Sequence, residues 1–387
     1  MSVRYPLASS TWGTEEKEAM YRVIDSGMFS MGAEVAAFEQ QFAQYTGSRY
    51  CVMVNSGSSA NLLMVAALFY RKENPFKRGD EVIVPAVSWS TTYFPLYHYG
   101  LKIKFVDIDL ETLNYDLDSL EAAVSSDTRM IMAVNLLGNP NDFDRIRQII
   151  DGRDILLLED NCEAMGATFN GKMAGTFGIM GSFSSFFSHH ISTMEGGMIV
   201  TDDEELYHVL LSLRAHGWTR NLPKYNHVCG EKSDDPFQES FRFVLPGYNV
   251  RPLELEGAIG IEQLKKLPGF IEQRRENAKL FQDAMKDNPD LMIQKEIGES
   301  SWFGFSLIIR PGSSLTRKEL IEKLNTLGFE CRPIVAGDFT KNEAMKYLDA
   351  AIPFDLKNAR YLDKNGLFIG NNHVCDDDAA TVLKSMI

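Results

Sequence analysis

The chain has no excess of positive charge, no clustered cysteines, no long apolar run and no internal repeat, and each lack removes a class of function. Its formal net charge is −14 over 387 residues. That argues against a general nucleic-acid or anionic-membrane binder, which needs clustered Lys and Arg, while leaving room for a local pocket that takes a phosphorylated small molecule. Five cysteines, Cys51, Cys162, Cys229, Cys331 and Cys375, are scattered without CxxC spacing. The pattern offers no zinc knuckle or iron–sulfur site and fits reduced thiols in a cytoplasm. No stretch approaches the ~18 uninterrupted apolar residues of a membrane helix. The start, MSVRYPLASS, has no basic segment leading into an apolar run, so no signal peptide is expected. What is present is 44% hydrophobic and 24% charged residues, the balance of a globular protein long enough for two units around a large core.

Apolar periodicity orders the chain as strands alternating with helices. After an extended arm, Thr14 is placed to cap a first helix that ends at Gly27, and residues 33–45 repeat helical spacing. Strands are expected at 50–54, 81–84, 102–106, 130–135 and 155–158, with helices at 60–70, 118–124 and 142–150 between them. Such alternation predicts an α/β fold with a mainly parallel sheet covered on both faces. Residues 222–243 are polar, aperiodic and hold Pro223 and Pro236, which reads as a long functional loop. A long helix follows Arg251, then strands at 306–309 and 330–333 and a helix at 317–327. The divisions drawn are an arm and first helix (1–30), a large domain (31–250), and a linking helix with a smaller α+β C-terminal domain (251–387).

Five stretches carry candidate chemistry, each with a plainer reading beside it. Asn55-Ser56-Gly57-Ser58-Ser59 lies between a strand and a helix, where backbone N–H groups, hydroxyls and a helix N-terminus favour a phosphate; a tight turn that binds nothing is the alternative. The strand Leu156-Leu157-Leu158 delivers Glu159 and Asp160 at its C-terminal end, where open α/β sheets place function. A carboxylate there either keeps a pyridinium nitrogen protonated or caps the next turn. Trp89 stacks on a flat ring or belongs to the core. His189 and His190 sit in a loop rich in Ser and Phe, and imidazole trades a proton readily near neutral pH; adjacent side chains in extended chain point apart, which makes a metal site a weak reading. In Pro246-Gly247-Tyr248-Asn249-Val250-Arg251, Asn249 and Arg251 reach a phosphate or carboxylate, or merely lead into a helix.

The order of these stretches resembles the fold-type I, aspartate-aminotransferase-like enzymes that use pyridoxal 5′-phosphate (PLP), and within them the nucleotide-sugar aminotransferase and dehydratase branch. Motifs that carry the resemblance include YPLASSTW, VPAVSWSTTY, NLLGNP, EDNCE, SHHISTMEGG and RAHGWTRNLP. The resemblance implies that Gly57 and Ser58 hold the cofactor phosphate, with Ser184 as a further contact, that Trp89 covers the ring and that Asp160 pairs with its nitrogen. It implies a homodimer in which Asn249 enters the neighbouring subunit's phosphate site. His216, Glu163, Arg220 and Arg251 are secondary candidates for catalysis and substrate binding.

Two departures matter. The branch's aminotransferases have a lysine where this chain has His189, and usually a glutamine or histidine where it has Glu163. Between Asp160 and Arg220 the only lysine is Lys172, in the hairpin-turn pattern Asn170-Gly171-Lys172. An imidazole forms no lasting Schiff base with the cofactor aldehyde, so the cofactor, as PLP or its amine form PMP, is expected to be held noncovalently. Both departures are features of the branch's GDP-sugar 3-dehydratase, which implies glutamate as amino donor, His189 as base and loss of the sugar's C3 hydroxyl. The alternatives are a sugar aminotransferase using another base, a dehydratase of another nucleotide sugar, and a non-catalytic binding protein of the same fold.

Overall fold

A computed structural model describes residues 3–374 and 377–384. The N-terminal half runs α1 (Thr14–Ser26), α2 (Ala33–Thr46), β1 (Tyr50–Val54), α3 (Gly57–Leu68), β2 (Glu81–Pro85), α4 (Ser90–His98), β3 (Lys102–Val106), α5 (Leu117–Ala123), β4 (Thr128–Val134), α6 (Phe143–Ile150) and β5 (Leu156–Asp160). A hairpin, β6 (Thr168–Phe169) and β7 (Lys172–Met173), precedes β8 (Met180–Ser184), β9 (Gly197–Thr201) and α7 (Glu204–Arg214). The polar excursion is not featureless: it folds into β10 (Tyr225–Asn226), β11 (Gly230–Glu231) and the short α8 (Pro236–Glu239). Then come α9 (Glu254–Met285), β12 (Leu291–Met292), β13 (Gly304–Ile309), α10 (Arg317–Thr326), β14 (Cys331–Arg332), β15 (Ala350–Ala351), α11 (Lys357–Asn365), β16 (Gly366–Gly370) and α12 (Asp377–Lys384).

The main sheet has the order β1-β9-β8-β5-β4-β2-β3-β15. Every neighbouring pair is parallel except those of β9, which runs against β1 and β8. The C-terminal ends of β1, β2, β4, β5 and β8 therefore share one edge, and the segments that follow them bring the candidate residues to it. Strands such as β1 and β5 are apolar and buried on both faces, as a covered parallel sheet requires. α3 is buried nearly all round, which matches its apolar sequence from Ala60 to Leu68. A second, antiparallel sheet, β12-β13-β16-β14, has its own core with Phe281, Phe305, Leu320 and Leu324. The 32-residue α9 spans roughly 48 Å at 1.5 Å per residue and packs on α1, α2 and α12.

Several boundaries differ from expectation for local reasons. Thr14 is the first helical residue rather than the cap; Gly13 takes that place, and Glu16 Oε2 accepts its N–H at 2.6 Å. α3 starts at Gly57, three residues earlier than periodicity indicates, because the small residues of its first turn carry no apolar signal. β5 extends to Asp160, so both acidic residues are part of the strand. Asn170 and Gly171 have φ of 50° and 75°, the hairpin turn expected there, and the Lys172 ammonium lies over the Phe177 ring at 5.0 Å. Cys51, Cys162, Cys229 and Cys331 are free thiols, and Cys375 lies outside the described residues. No helix among the described residues is long and apolar enough to cross a membrane.

Candidate active site

The turn after β1 is closed by a hydrogen bond from Ser59 N–H to Ser56 Oγ at 3.1 Å. The N-terminus of the 12-residue α3 opens there toward the shared sheet edge, with N–H groups suited to an anion. Gly57 is required by space: a Cβ on it would lie 2.8 Å from Ser184 Cβ and 2.9 Å from Cys162 Sγ. Ser184, buried at the end of β8, is thus brought against the turn, and its Oγ accepts from Phe186 N–H at 3.3 Å. Ser58 Oγ donates to Thr91 Oγ1 at 3.0 Å, joining the turn to α4.

Strand alternation separates the two acids of β5. Glu159 turns to the packed side, where its carboxylate accepts the N–H groups of Gly175 at 2.6 Å and Gly178 at 2.7 Å. Burial raises its pKa against those bonds, and its role is to fasten the loop before β8. Asp160 turns to the site. Its Oδ2 accepts from Asn61 Nδ2 at 2.8 Å and Thr92 Oγ1 at 2.7 Å, and its Oδ1 accepts from Cys162 N–H at 3.2 Å. The turn-capping reading of Asp160 holds, since Oδ1 accepts from Cys162 N–H, while Oδ2 is held by Asn61 and Thr92. Its donors are all neutral, and no cation pairs with it among the described residues, so this buried carboxylate fits a positively charged ring nitrogen. Trp89 caps α4 and is 58% exposed, which overturns the core reading and leaves its indole free to cover a ring.

His189 follows β8 in a loop whose His189 N–H donates to Phe186 C=O at 2.9 Å. Its ring lies 5.2 Å from that of Phe303, and Nδ1 is buried without a partner among the described residues. Burial first, and then the Arg274 guanidinium, pull its pKa down to about 4, so the imidazole is neutral at pH 7 and free to accept a proton. His190 packs on the same Phe303 ring but is fully buried, with Nε2 at 3.3 Å from Ser301 C=O, and burial and Arg274 drive it well below the usual imidazole range.

Glu163 accepts Leu137 N–H at 3.0 Å. Burial raises its carboxyl to about 7, with the Asp160 charge adding to the rise and the Leu137 bond opposing it. Leu137 has φ of 54°, and Trp302, across from it, 47°. Non-glycine residues in this region store strain of about 1–3 kcal/mol each and cluster at functional sites. The strained turn makes a bridge: Leu137 C=O accepts Phe303 N–H at 3.0 Å, which links Glu163 to the ring that packs on His189. Gly138, at φ 93°, allows the approach, since a Cβ there would lie 2.6 Å from Trp302 N.

The remaining candidates gather around Trp218. The His216 ring lies 4.8 Å from it, the Arg220 guanidinium 5.3 Å and the Arg251 guanidinium 5.9 Å. Arg251 Nε donates to Asn249 Oδ1 at 3.0 Å, and Asn249 is exposed. This group adjoins the phosphate turn where Asn55 N–H donates to Val250 C=O at 3.0 Å.

Residues that sequence reasoning passed over are Asn61, Thr92, Leu137, Phe303 and Arg274. Asn61 had a signal, a lone amide inside the apolar run of α3, one turn beyond Gly57. Arg274 had a fainter one: Leu267, Ile271, Ala278, Phe281 and Met285 form the buried stripe of α9, and Arg274 falls on the same spacing. Leu137 and Phe303 had none.

Comparison with known proteins finds relatives along nearly the whole chain. Residues 11–387 match the model of the DegT/DnrJ/EryC1/StrS aminotransferase family. GDP-4-keto-6-deoxy-D-mannose 3-dehydratase of Yersinia pseudotuberculosis is 64% identical over 96% of this chain and 95% of its own. The protein of that name from Escherichia coli O55:H7 is 65% identical over 96% of both chains. A crystal structure of GDP-4-keto-6-deoxymannose-3-dehydratase with a trapped PLP-glutamate geminal diamine superposes with a TM-score of 0.98 at 64% identity, covering 99% of this chain and 100% of that one.

Proposed function

The chain belongs to the DegT/DnrJ/EryC1/StrS aminotransferase family, and from that premise we propose that it is a PLP-dependent lyase, a nucleotide-sugar 3-dehydratase. It removes the C3 hydroxyl of GDP-4-keto-6-deoxy-D-mannose, with glutamate as amino donor, on the route to the dideoxysugar colitose of lipopolysaccharide O-antigens. The products are GDP-4-keto-3,6-dideoxy-D-mannose, 2-oxoglutarate and ammonia. Electrons balance: oxidation of glutamate to 2-oxoglutarate and ammonia supplies the two that replace the hydroxyl by hydrogen. The base and the sugar are those in the names of the 64–65% identical relatives.

The observation that carries this reading is a half-buried imidazole at the lysine position, its Nδ1 buried without a partner among the described residues and its pKa lowered to about 4, on the same sheet edge as Asp160 and the Gly57 turn. The cofactor, when bound, supplies an electron sink conjugated to the sugar's C4 position. The chain's own residues do the rest. Gly57, Ser58 and Ser184 hold the phosphate at the N-terminus of α3, Asp160 holds the ring nitrogen in its protonated form, and Trp89 covers the ring face. His189 takes the proton at the cofactor's C4′ carbon, a role for which its unpartnered Nδ1 leaves a lone pair available. A lysine there would tether the cofactor and deliver a proton to the sugar's C4, completing an amine transfer. Imidazole does neither, which leaves expulsion of the C3 hydroxyl as the easier exit. Glu163, poised near neutrality, exchanges a proton on the same side of the site.

The exposed group around Trp218 supports a homodimer with shared sites, Asn249 completing the partner's phosphate site and Arg220 and Arg251 meeting the anionic substrate. His216 belongs with this group. A nucleotide-sugar substrate and glutamate as donor support action in the cytoplasm. Incubation with PLP, glutamate and GDP-4-keto-6-deoxymannose, followed by NMR of the sugar, tests the proposal. Loss of the C3 hydroxyl with ammonia release supports it; a stable 4-amino sugar would make the chain an aminotransferase, and an unchanged sugar a non-catalytic member of the family.

A further inference from the structure

Arg274 is 4% exposed in the middle of α9, on the face that otherwise buries Ile271 and Ala278. No carboxylate meets it among the described residues. Its Nη1 donates to three backbone carbonyls, Asn371 at 2.7 Å, Phe303 at 3.2 Å and Trp302 at 3.4 Å, and its Nε is buried without a partner. A cation buried on these terms is costly, because desolvation is offset by carbonyl dipoles alone. A methionine or leucine would fill the same register at lower cost.

We propose that Arg274 is a positioning residue for the dehydration, setting both the wall and the charge environment of His189. The wall is Phe303, whose ring packs on His189 at 5.2 Å and on His190 at 5.7 Å. Arg274 grips the carbonyls of Trp302 and Phe303, and Asn371 Nδ2 closes the frame by donating to Trp302 C=O at 2.8 Å and Arg274 C=O at 3.1 Å. Trp302 is held at φ 47°, a strained conformation that these hydrogen bonds help to maintain.

The charge acts in the same direction. Three titratable groups face the guanidinium: His189 and His190 from the loop after β8, and His373 from the segment after β16. It disfavours the cationic form of each. On its own helix, Lys266 adds to the effect at His373, while Arg275 turns away to the carbonyls of Ser300, Gly166 and Glu299 and takes the Glu299 carboxylate at 3.8 Å. Burial brings Arg274 itself only to about 10, so it remains cationic across the working range. Burial is the larger cause of the low His189 pKa, and this fixed positive charge adds to it.

This inference rests on the reading of His189 as base, and its test reads the state of that imidazole whether or not sugar is turned over. Histidine-labelled holoenzyme is titrated by NMR from pH 8 to pH 5, with the His189 signal assigned by its loss in His189→Asn. In the wild type and in Arg274→Lys the His189 signal stays that of the neutral ring throughout. In Arg274→Met it titrates upward by one pH unit or more. Arg274→Lys keeps the charge but lacks the fork that grips the carbonyls, so its kcat falls tenfold or more with little change in KM. A His189 that titrates near 6.5 in the wild type overturns the charge role without any Arg274 variant, even if Arg274→Met fails to fold. An unaltered titration in folded Arg274→Met does the same, and an unaltered kcat in Arg274→Lys overturns the positioning role.

Discussion

At the end of β5, Asp160 accepts hydrogen bonds from an α3 amide, an α4 hydroxyl and a backbone N–H. In the loop after β8, His189 Nδ1 accepts none and lies against the Phe303 ring. The two residues, which we propose serve one site, are held in opposite ways. A buried polar atom left unpaired costs about 1–3 kcal/mol, so the cofactor-holding side is stabilised by its own contacts and the proton-moving side is kept at a cost. The difference follows from the tasks. A group that holds a ring nitrogen gains from fixed partners. A group that collects a proton must keep its lone pair open. Burial serves both titratable groups of the reacting side by pushing each toward neutrality, the His189 imidazole to about 4 and the Glu163 carboxyl to about 7.

Breaking the reacting side has the largest expected effect. His189→Asn loses the base and should lower dehydration by about 10²–10⁴-fold, while PLP affinity, set by the other side, changes little. His189→Lys should move the cofactor's absorbance toward a lysine-bound form with equally poor dehydration; an unchanged spectrum with normal turnover would refute the replacement argument. Breaking the holding side comes next. Asp160→Asn removes the charge that faces the ring nitrogen and leaves Asn61 or Thr92 with a poorer acceptor. It should cost roughly tenfold or more in PLP affinity and about 1–3 kcal/mol of stability in a denaturant titration. Gly57→Ala introduces a Cβ 2.8 Å from Ser184 Cβ and should cost a similar 1–3 kcal/mol by overpacking, with weaker PLP binding.

The pH dependence of stability sharpens the same comparison. The folded-state pKa of His189 lies below its ordinary value of 6.5. As pH falls below 6.5 the unfolded chain therefore takes up a proton that the folded one refuses until about 4, and stability is lost across that window at up to about 1.4 kcal/mol per pH unit. Glu163 works the other way. Its folded pKa is raised to about 7, so the folded chain holds a proton that the unfolded one releases, and stability is gained as pH falls from 7 toward the ordinary 4.5. Urea midpoints at pH 7, 6 and 5 should therefore show His189→Asn gaining on the wild type toward acid and Glu163→Gln losing ground; parallel curves would contradict both environments. Asn249→Ala should have the smallest effect, a several-fold weaker PLP affinity with the fold intact, and an unchanged affinity counts against a site shared between subunits.

The holding side was the more legible in the sequence. Its parts are local: a small-residue turn between an apolar strand and an apolar helix, acids at a strand end, a tryptophan near another strand end. Each is written in a few consecutive residues, and the alternation of strands and helices orders them along one sheet edge. Periodicity missed the first turn of α3 because Gly57, Ser58 and Ser59 are neither apolar nor spaced, and it could not say which of Glu159 and Asp160 faces the site until the register of β5 was in place.

The sequence by itself determined that this is an α/β chain with a small-residue turn after its first strand and a strand-end aspartate, because those features depend on residue type and short spacing, and its resemblance to the family put a histidine at the lysine position. The tertiary structure decided what that histidine is able to do. Its neutrality comes from burial first and Arg274 on α9 second, and its wall from Phe303 before β13, tied to the strained Leu137 after β4. None of these is near it in the chain. Burial and the field of a distant cation are properties of packing, and no local pattern around His189 encodes them.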